Sequence, residues 1–137
     1  MSSESLRTAG VLLIVYPTVV FGGASLLWHW ITARTDYYGH RVRRELWRAG
    51  HAHAGVLLIL SLVALVLVDH TDLGDGWKQV VRIGFPAAAL LLPIAFFLSI
   101  VHPRAERPNR LVNLAYVGGV VLSVAMVTLG VGLLRAA

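Results

Sequence analysis

The chain predicts an all-α integral membrane protein, an antiparallel four-helix bundle with both termini on the non-cytoplasmic side. Three observations carry that expectation. Of the 137 residues, 57% are hydrophobic and 14% are charged, and the mean hydropathy of +0.72 is too high for a water-soluble domain of this size. The apolar residues fall into four long blocks, one domain without a soluble module. The basic residues are gathered in the two loops that an alternating chain puts on one side.

The blocks cover about residues 8–31, 49–68, 80–101 and 111–134, each with the roughly twenty apolar residues that cross a hydrocarbon core of about 30 Å. The first lacks a basic leading region, and no small-residue cleavage site follows it, so it reads as a retained span. In the second, residues 56–68 lack the alternation of a barrel strand, which leaves a helix. The third carries Arg82 near its start, where a long side chain can snorkel to the interface. The fourth has Asn113 in the same position. Pro17, Pro86 and Pro93 are kinks that membrane helices tolerate. Gly22-Gly23, Ala115 with Gly118-Gly119, and Gly130 with Gly132 read as close-packing sites. Trp28, Trp30, Trp47 and Trp77 fall near span ends, as an aromatic belt requires. Residues 37–47, where Tyr37, Tyr38 and Trp47 alternate with arginines, suit a short helix or turn in the headgroup layer.

Charge sets the orientation. Arg34, Arg41, Arg43, Arg44 and Arg48 lie between the first two spans, and Arg104, Arg107 and Arg110 between the last two; these are eight of the twelve Lys and Arg residues. Positive-inside bias puts loops 34–48 and 102–110 in the cytoplasm. The isoelectric point near 10.5 follows from the same residues. Anionic lipid headgroups account for it, and no nucleic-acid partner is expected.

There is no cysteine, which removes thiolate ligands and iron–sulfur clusters from consideration. Histidine is then the obvious ligand. His29 closes the first block, His51 opens the second and His102 closes the third. In an antiparallel bundle all three meet at one membrane face. At about 100° per residue, His29 shares a helix face with Ser25, Gly22 and Thr18, and His102 with Ala95, Ala88 and Gly84. His51 lies over Ala54 and Gly55. Small residues mark helix contacts in membranes, so the three imidazoles are expected to face the bundle. His53 lies about 200° around the helix from His51, over Leu57 and Leu60, and should face lipid, a partner subunit or a distorted first turn. His40 and His70 read as solvated. The bland alternative for all of them is a histidine hydrated at the interface or hydrogen-bonded to a nearby carbonyl.

Two chemistries fit the cluster. The first is b-type haem with axial histidines from facing helices, His51 one ligand and His102 or His29 the other. Its anionic propionates would pair with Arg44, Arg48 and Arg104. The second is a copper or zinc site of His29, His51 and His102, with His53 a further candidate. Glu45 or Glu106 would then add a ligand or orient one. The metal needs three nitrogens within about 2.1 Å of one point; haem needs two.

The stretch Trp47-Arg48-Ala49-Gly50-His51-Ala52-His53-Ala54-Gly55-Val56-Leu57 resembles the helix of haem–copper oxidase and nitric oxide reductase catalytic subunits that carries a low-spin haem ligand. It is also similar to small bacterial four-helix membrane proteins in which a span opens on His-x-His. The first resemblance implies a haem-ligand role for His51 alone. Those subunits have many more helices and a histidine-rich copper centre that four helices cannot supply. The implied function is thus a stand-alone haem module for electron transfer or redox or gas sensing, and the implied location a bacterial plasma membrane. A cofactor-free accessory subunit or scaffold, docking as a homo-oligomer or within a larger membrane complex, is the remaining class. No nucleophile–base pair, P-loop or dinucleotide fingerprint is present.

Overall fold

The computed structural model describes residues 1–32, 40–102 and 104–137. Arg34, Tyr37 and Tyr38 of the first basic loop lie outside them. Helix α1 spans Ser3–Ile31, α2 Arg41–Val68, α3 Asp75–Ser99 and α4 Leu114–Ala136, the last entered through a 3-10 turn at Arg110–Asn113. No strand occurs among the described residues. All four helices are long and apolar enough to cross a membrane.

Their limits differ from the apolar blocks for local reasons. Helix α1 begins at Ser3 because the Ser2 hydroxyl accepts the Ser5 backbone N–H at 3.1 Å, and Glu4 meets the positive end of the helix dipole. Helix α2 begins at Arg41, well ahead of the apolar span. Arginine, glutamate and leucine are strong helix formers, so the basic stretch from Arg41 to Arg48 is helical rather than a loop. His51 therefore lies ten residues, about 15 Å, inside α2.

Helix α3 stops at Ser99, and His102 falls beyond it. The residue before a proline disfavours helical backbone, and Pro103 follows His102 in sequence. The last carbonyls of α3 are nevertheless met. Asn109 donates its backbone N–H to Ser99 at 2.8 Å and its side-chain amide to Leu98 at 3.0 Å. Arg43, only 2% exposed, donates Nε–H to the Ile100 carbonyl at 3.2 Å. A cation buried against a helix C-terminus complements the dipole there.

The core lies between α2, α3 and α4. Leu57, Leu58, Leu65, Ala88, Ala89 and Leu92 form one cluster, which Leu12 of α1 joins, and Ala64, Val68, Val81, Phe85, Ala125 and Leu129 form another. Glycine allows the closest approaches. A Cβ on Gly84 would lie 2.7 Å from the Ala125 methyl, and one on Gly50 would lie 2.6 Å from the Phe97 ring. Gly132 is seated as tightly on Leu73, a Cβ on Gly118 would lie 3.0 Å from Leu92, and Gly119 and Gly130 meet nothing within 4 Å among the described residues. Helix α1 is peripheral. Only 6% of its most apolar window is buried, against 44% for α3. It is held where Leu12, Ala9, Tyr16 and Val19 pack on the core, where its first turn meets Asp69 and Arg82, and where Gly22-Gly23 meets His51.

Candidate cofactor site

Gly50, His51 and His53 of α2 point in three directions, as about 100° per residue demands. Gly50 faces Phe97 of α3, and Trp47 one turn earlier stacks on the same ring with centroids 4.8 Å apart. His51 faces α1. A Cβ on Gly23 would stand 2.9 Å from His51 Nε2, and one on Gly22 would stand 3.6 Å from Nδ1. His53 turns outward, exposed, its ring edge-on to Phe96 at 5.2 Å. The first turns of the apolar part of α2 are regular helix, so the distorted-turn alternative for His53 does not arise.

The histidines differ in how their ring nitrogens are used. His29 Nδ1 lies 2.7 Å from the Ser25 carbonyl, and His53 Nδ1 lies 2.7 Å from the Ala49 carbonyl. A carbonyl only accepts, so Nδ1 donates in both. In the neutral ring that leaves Nε2 as the lone-pair nitrogen, the arrangement that backbone carbonyls impose on metal-ligating histidines. His102 is the reverse: its Nδ1 accepts the Arg104 N–H at 3.2 Å, which makes Nε2 the protonated nitrogen of the neutral ring. His102 is also exposed. Among the described residues His51 is half-buried, and no hydrogen bond to another side chain or carbonyl fixes its ring.

His51 lines an apolar groove of about 200 Å³ between α1 and α3, floored by Leu58 and Ala89 and rimmed by Thr18, Val19, Pro93 and Phe97. Arg48 and Arg44 stand three and seven residues before His51 on the same face of α2, both exposed. Arg104, Glu45 and Glu106 are exposed as well. His40 precedes α2 as its N-cap without a side-chain capping bond, and His70 is exposed beyond the end of α2. No group of three or more His, Asp or Glu side chains among the described residues stands close enough together to hold a metal ion. His51 meets Gly23, and His29 follows six residues later, about 9 Å along the α1 axis.

The other end of the molecule holds a polar cluster that composition and spacing did not reveal. Arg82 is 7% exposed rather than snorkelling. Its Nε donates to Ser5 Oγ at 3.1 Å, Nη1 to Glu4 at 2.7 Å, and Nη2 to Asp69 at 2.8 Å and Ser2 Oγ at 3.1 Å. Asp69 also accepts the Ser2 backbone N–H at 2.6 Å and the Ser5 hydroxyl at 3.1 Å. Burial pushes the Asp69 carboxyl up, but the Arg82, Ser2 and Ser5 hydrogen bonds outweigh it and hold the group at about 2. A legible signal existed. Arg82 opens one apolar block and Asp69 closes the previous one, so an alternating chain brings the two to one level.

The chain matches no family model, no curated protein and no solved structure.

Proposed function

We propose that the chain is a membrane-embedded cofactor-binding protein, an antiparallel four-helix bundle with both termini outside and the histidine end in the cytoplasm. Its cofactor is b-type haem, held through His51, for electron transfer or redox or gas sensing. The observation that carries this reading is His51 itself: a half-buried imidazole inside a span-length apolar helix, without a fixing hydrogen bond among the described residues, at the lip of an apolar groove. Ionisable groups inside spans are functional candidates by default. Haem can be held by one proximal histidine, which the groove provides. Arg44 and Arg48 lie on the same face toward the helix start, where propionates would emerge.

The groove's 200 Å³ falls below the roughly 300–1,000 Å³ of small-molecule sites, so a macrocycle requires α1 to move outward. With so little of its apolar surface buried, α1 is the helix best able to do so. A copper or zinc site of three imidazoles lacks its ligand set among the described residues, which leaves haem ahead of it. The exposed apolar length of α1 favours one second reading, an accessory subunit that docks a membrane partner along that helix.

The test is an oxidised and dithionite-reduced spectrum of the detergent-purified chain, expressed with ample haem. A Soret band and a sharpened α band are expected, lost in His51→Ala and kept in His70→Ala. A flat wild-type spectrum would overturn the haem reading and favour the docking one. For orientation, a reporter fused after Ala137 should be active only outside the cytoplasm; activity inside it would reverse the topology.

A further inference from the structure

The Arg82 cluster borders a cavity that the proposed haem site does not use. It is an open cleft of about 510 Å³ between the first turns of α1 and α3, lined by Ser3, Glu4, Arg7, Thr8, Gln79, Arg82 and Ile83. Two of its groups retain polar capacity. Glu4 gives Oε2 to Arg82, and its side chain remains 58% exposed. Arg7, three residues on and on the same helix face, is exposed and makes no ion pair among the described residues. Arg82 uses four of the five N–H groups of a guanidinium in the bonds given above.

The charge pattern restricts what could bind. Arg7 and Arg82 balance Glu4 and Asp69, so the cavity and its wall are neutral overall but split into a cationic and an anionic side. A simple anion would meet repulsion from Glu4 and a simple cation repulsion from Arg7. A zwitterion satisfies both. Ile83, 64% exposed, lines the cavity, and Val11, 56% exposed, lies one helical turn beyond Arg7 on α1. The cavity's occupant therefore combines a zwitterionic head with an apolar chain, at the depth where helix starts meet headgroups.

We infer that this cavity binds the headgroup of an amine-bearing phospholipid, its phosphate on Arg7 and Gln79 and its ammonium on Glu4, with an acyl chain lying over Val11 and Ile83. The inference rests on reading the four helices as membrane spans. A primary ammonium donates hydrogen bonds to a carboxylate, whereas a quaternary choline has none to give, so phosphatidylethanolamine is favoured over phosphatidylcholine. Phosphatidylglycerol lacks the cation altogether.

Native mass spectrometry of the full chain in detergent tests this, with phosphatidylethanolamine, phosphatidylcholine and phosphatidylglycerol of identical acyl chains offered at equal concentration. Preferential retention of phosphatidylethanolamine is expected. Arg7→Ala, at an exposed side chain, should reduce that retention by about tenfold, the scale of one charge-assisted contact, and Arg7→Lys should restore part of it. Glycerophosphoethanolamine, which has the head without the chains, should not be retained. Equal retention of the three lipids, an Arg7→Ala variant that binds as the wild type does, or retention of the chainless head would each overturn the site. Alkaline extraction of membranes separates this from failure of the span reading. A chain released by alkali overturns the spans, while a chain that stays membrane-bound without lipid preference overturns only the lipid site.

Discussion

The two ends of the bundle handle polar groups in opposite ways. At one end Arg82, Asp69, Glu4, Ser2 and Ser5 satisfy one another, with four donor bonds from a single guanidinium. At the other, the rings of His29 and His53 are oriented by their own helix carbonyls, and among the described residues no hydrogen bond fixes His51. A network this closely paired holds helices together and leaves only its exposed rim, Glu4 and the neighbouring Arg7, to meet a ligand. A half-buried imidazole whose ring no hydrogen bond holds retains the capacity to bind. Helix α1 bridges the two, tied by hydrogen bonds at its start and only by van der Waals contact at Gly22-Gly23.

Breaking the saturated end has the largest expected effect. Arg82→Met leaves the Asp69 carboxylate, 11% exposed, without its ion pair, and losing one partner of a buried pair costs about 3–5 kcal/mol. Unfolding of the detergent-solubilised variant, followed by circular dichroism, should show that loss. Adding Asp69→Asn removes the stranded charge and should recover part of it. If Arg82→Met unfolds like the wild type, the network does not hold α1.

Acid should loosen the same end by a smaller amount. The Asp69 carboxyl lies at about 2 in the folded chain against an ordinary 3.8. A lowered folded value means a contribution that is complete above about 4 and is lost as pH falls toward 2. Stability should decline through that window in the wild type and less steeply in Asp69→Asn. Equal slopes in the two proteins would assign the decline to other carboxyls.

Much of this was legible in the sequence, and the misses share a cause. Four apolar blocks gave four helices because length and hydropathy alone decide whether a segment can span. The small residues on the His29 face also behaved as expected, since Gly22 meets His51 and Thr18 rims the groove. What hydropathy does not encode is where a helix ends in polar sequence. Arg43 counted only as loop charge, yet it is buried as a cap on α3, because α2 extends outward far enough to reach the Ile100 carbonyl. His102 counted as closing its block, but two residues of non-helical backbone separate it from Ser99. Arg82 looked like an interfacial side chain, since its partners Ser2, Ser5 and Asp69 come from two other segments and only folding brings them together. Periodicity identifies faces; it does not supply the cross-segment hydrogen bonds that decide whether a polar residue on a face is spent or available.

The smallest expected change in stability comes from Gly23→Ala, and it addresses availability directly. The added methyl would lie 2.9 Å from His51 Nε2 and 3.1 Å from Cε1, too close for both to stay. The atoms in the way are the tip of a side chain rather than backbone, so the ring can turn aside. Alanine in place of a helical glycine contributes up to about 1 kcal/mol in the other direction. Unfolding should therefore shift by less than about 1 kcal/mol, while the ring is driven off α1 toward the groove. Nitrogen chemical shifts of selectively labelled histidine should move for His51 and hold still for His70, and any haem-bound form should show a displaced Soret band. An unchanged His51 signal would mean that α1 already stands farther from α2 than this packing requires, and that the glycine pair does not set the position of the ring.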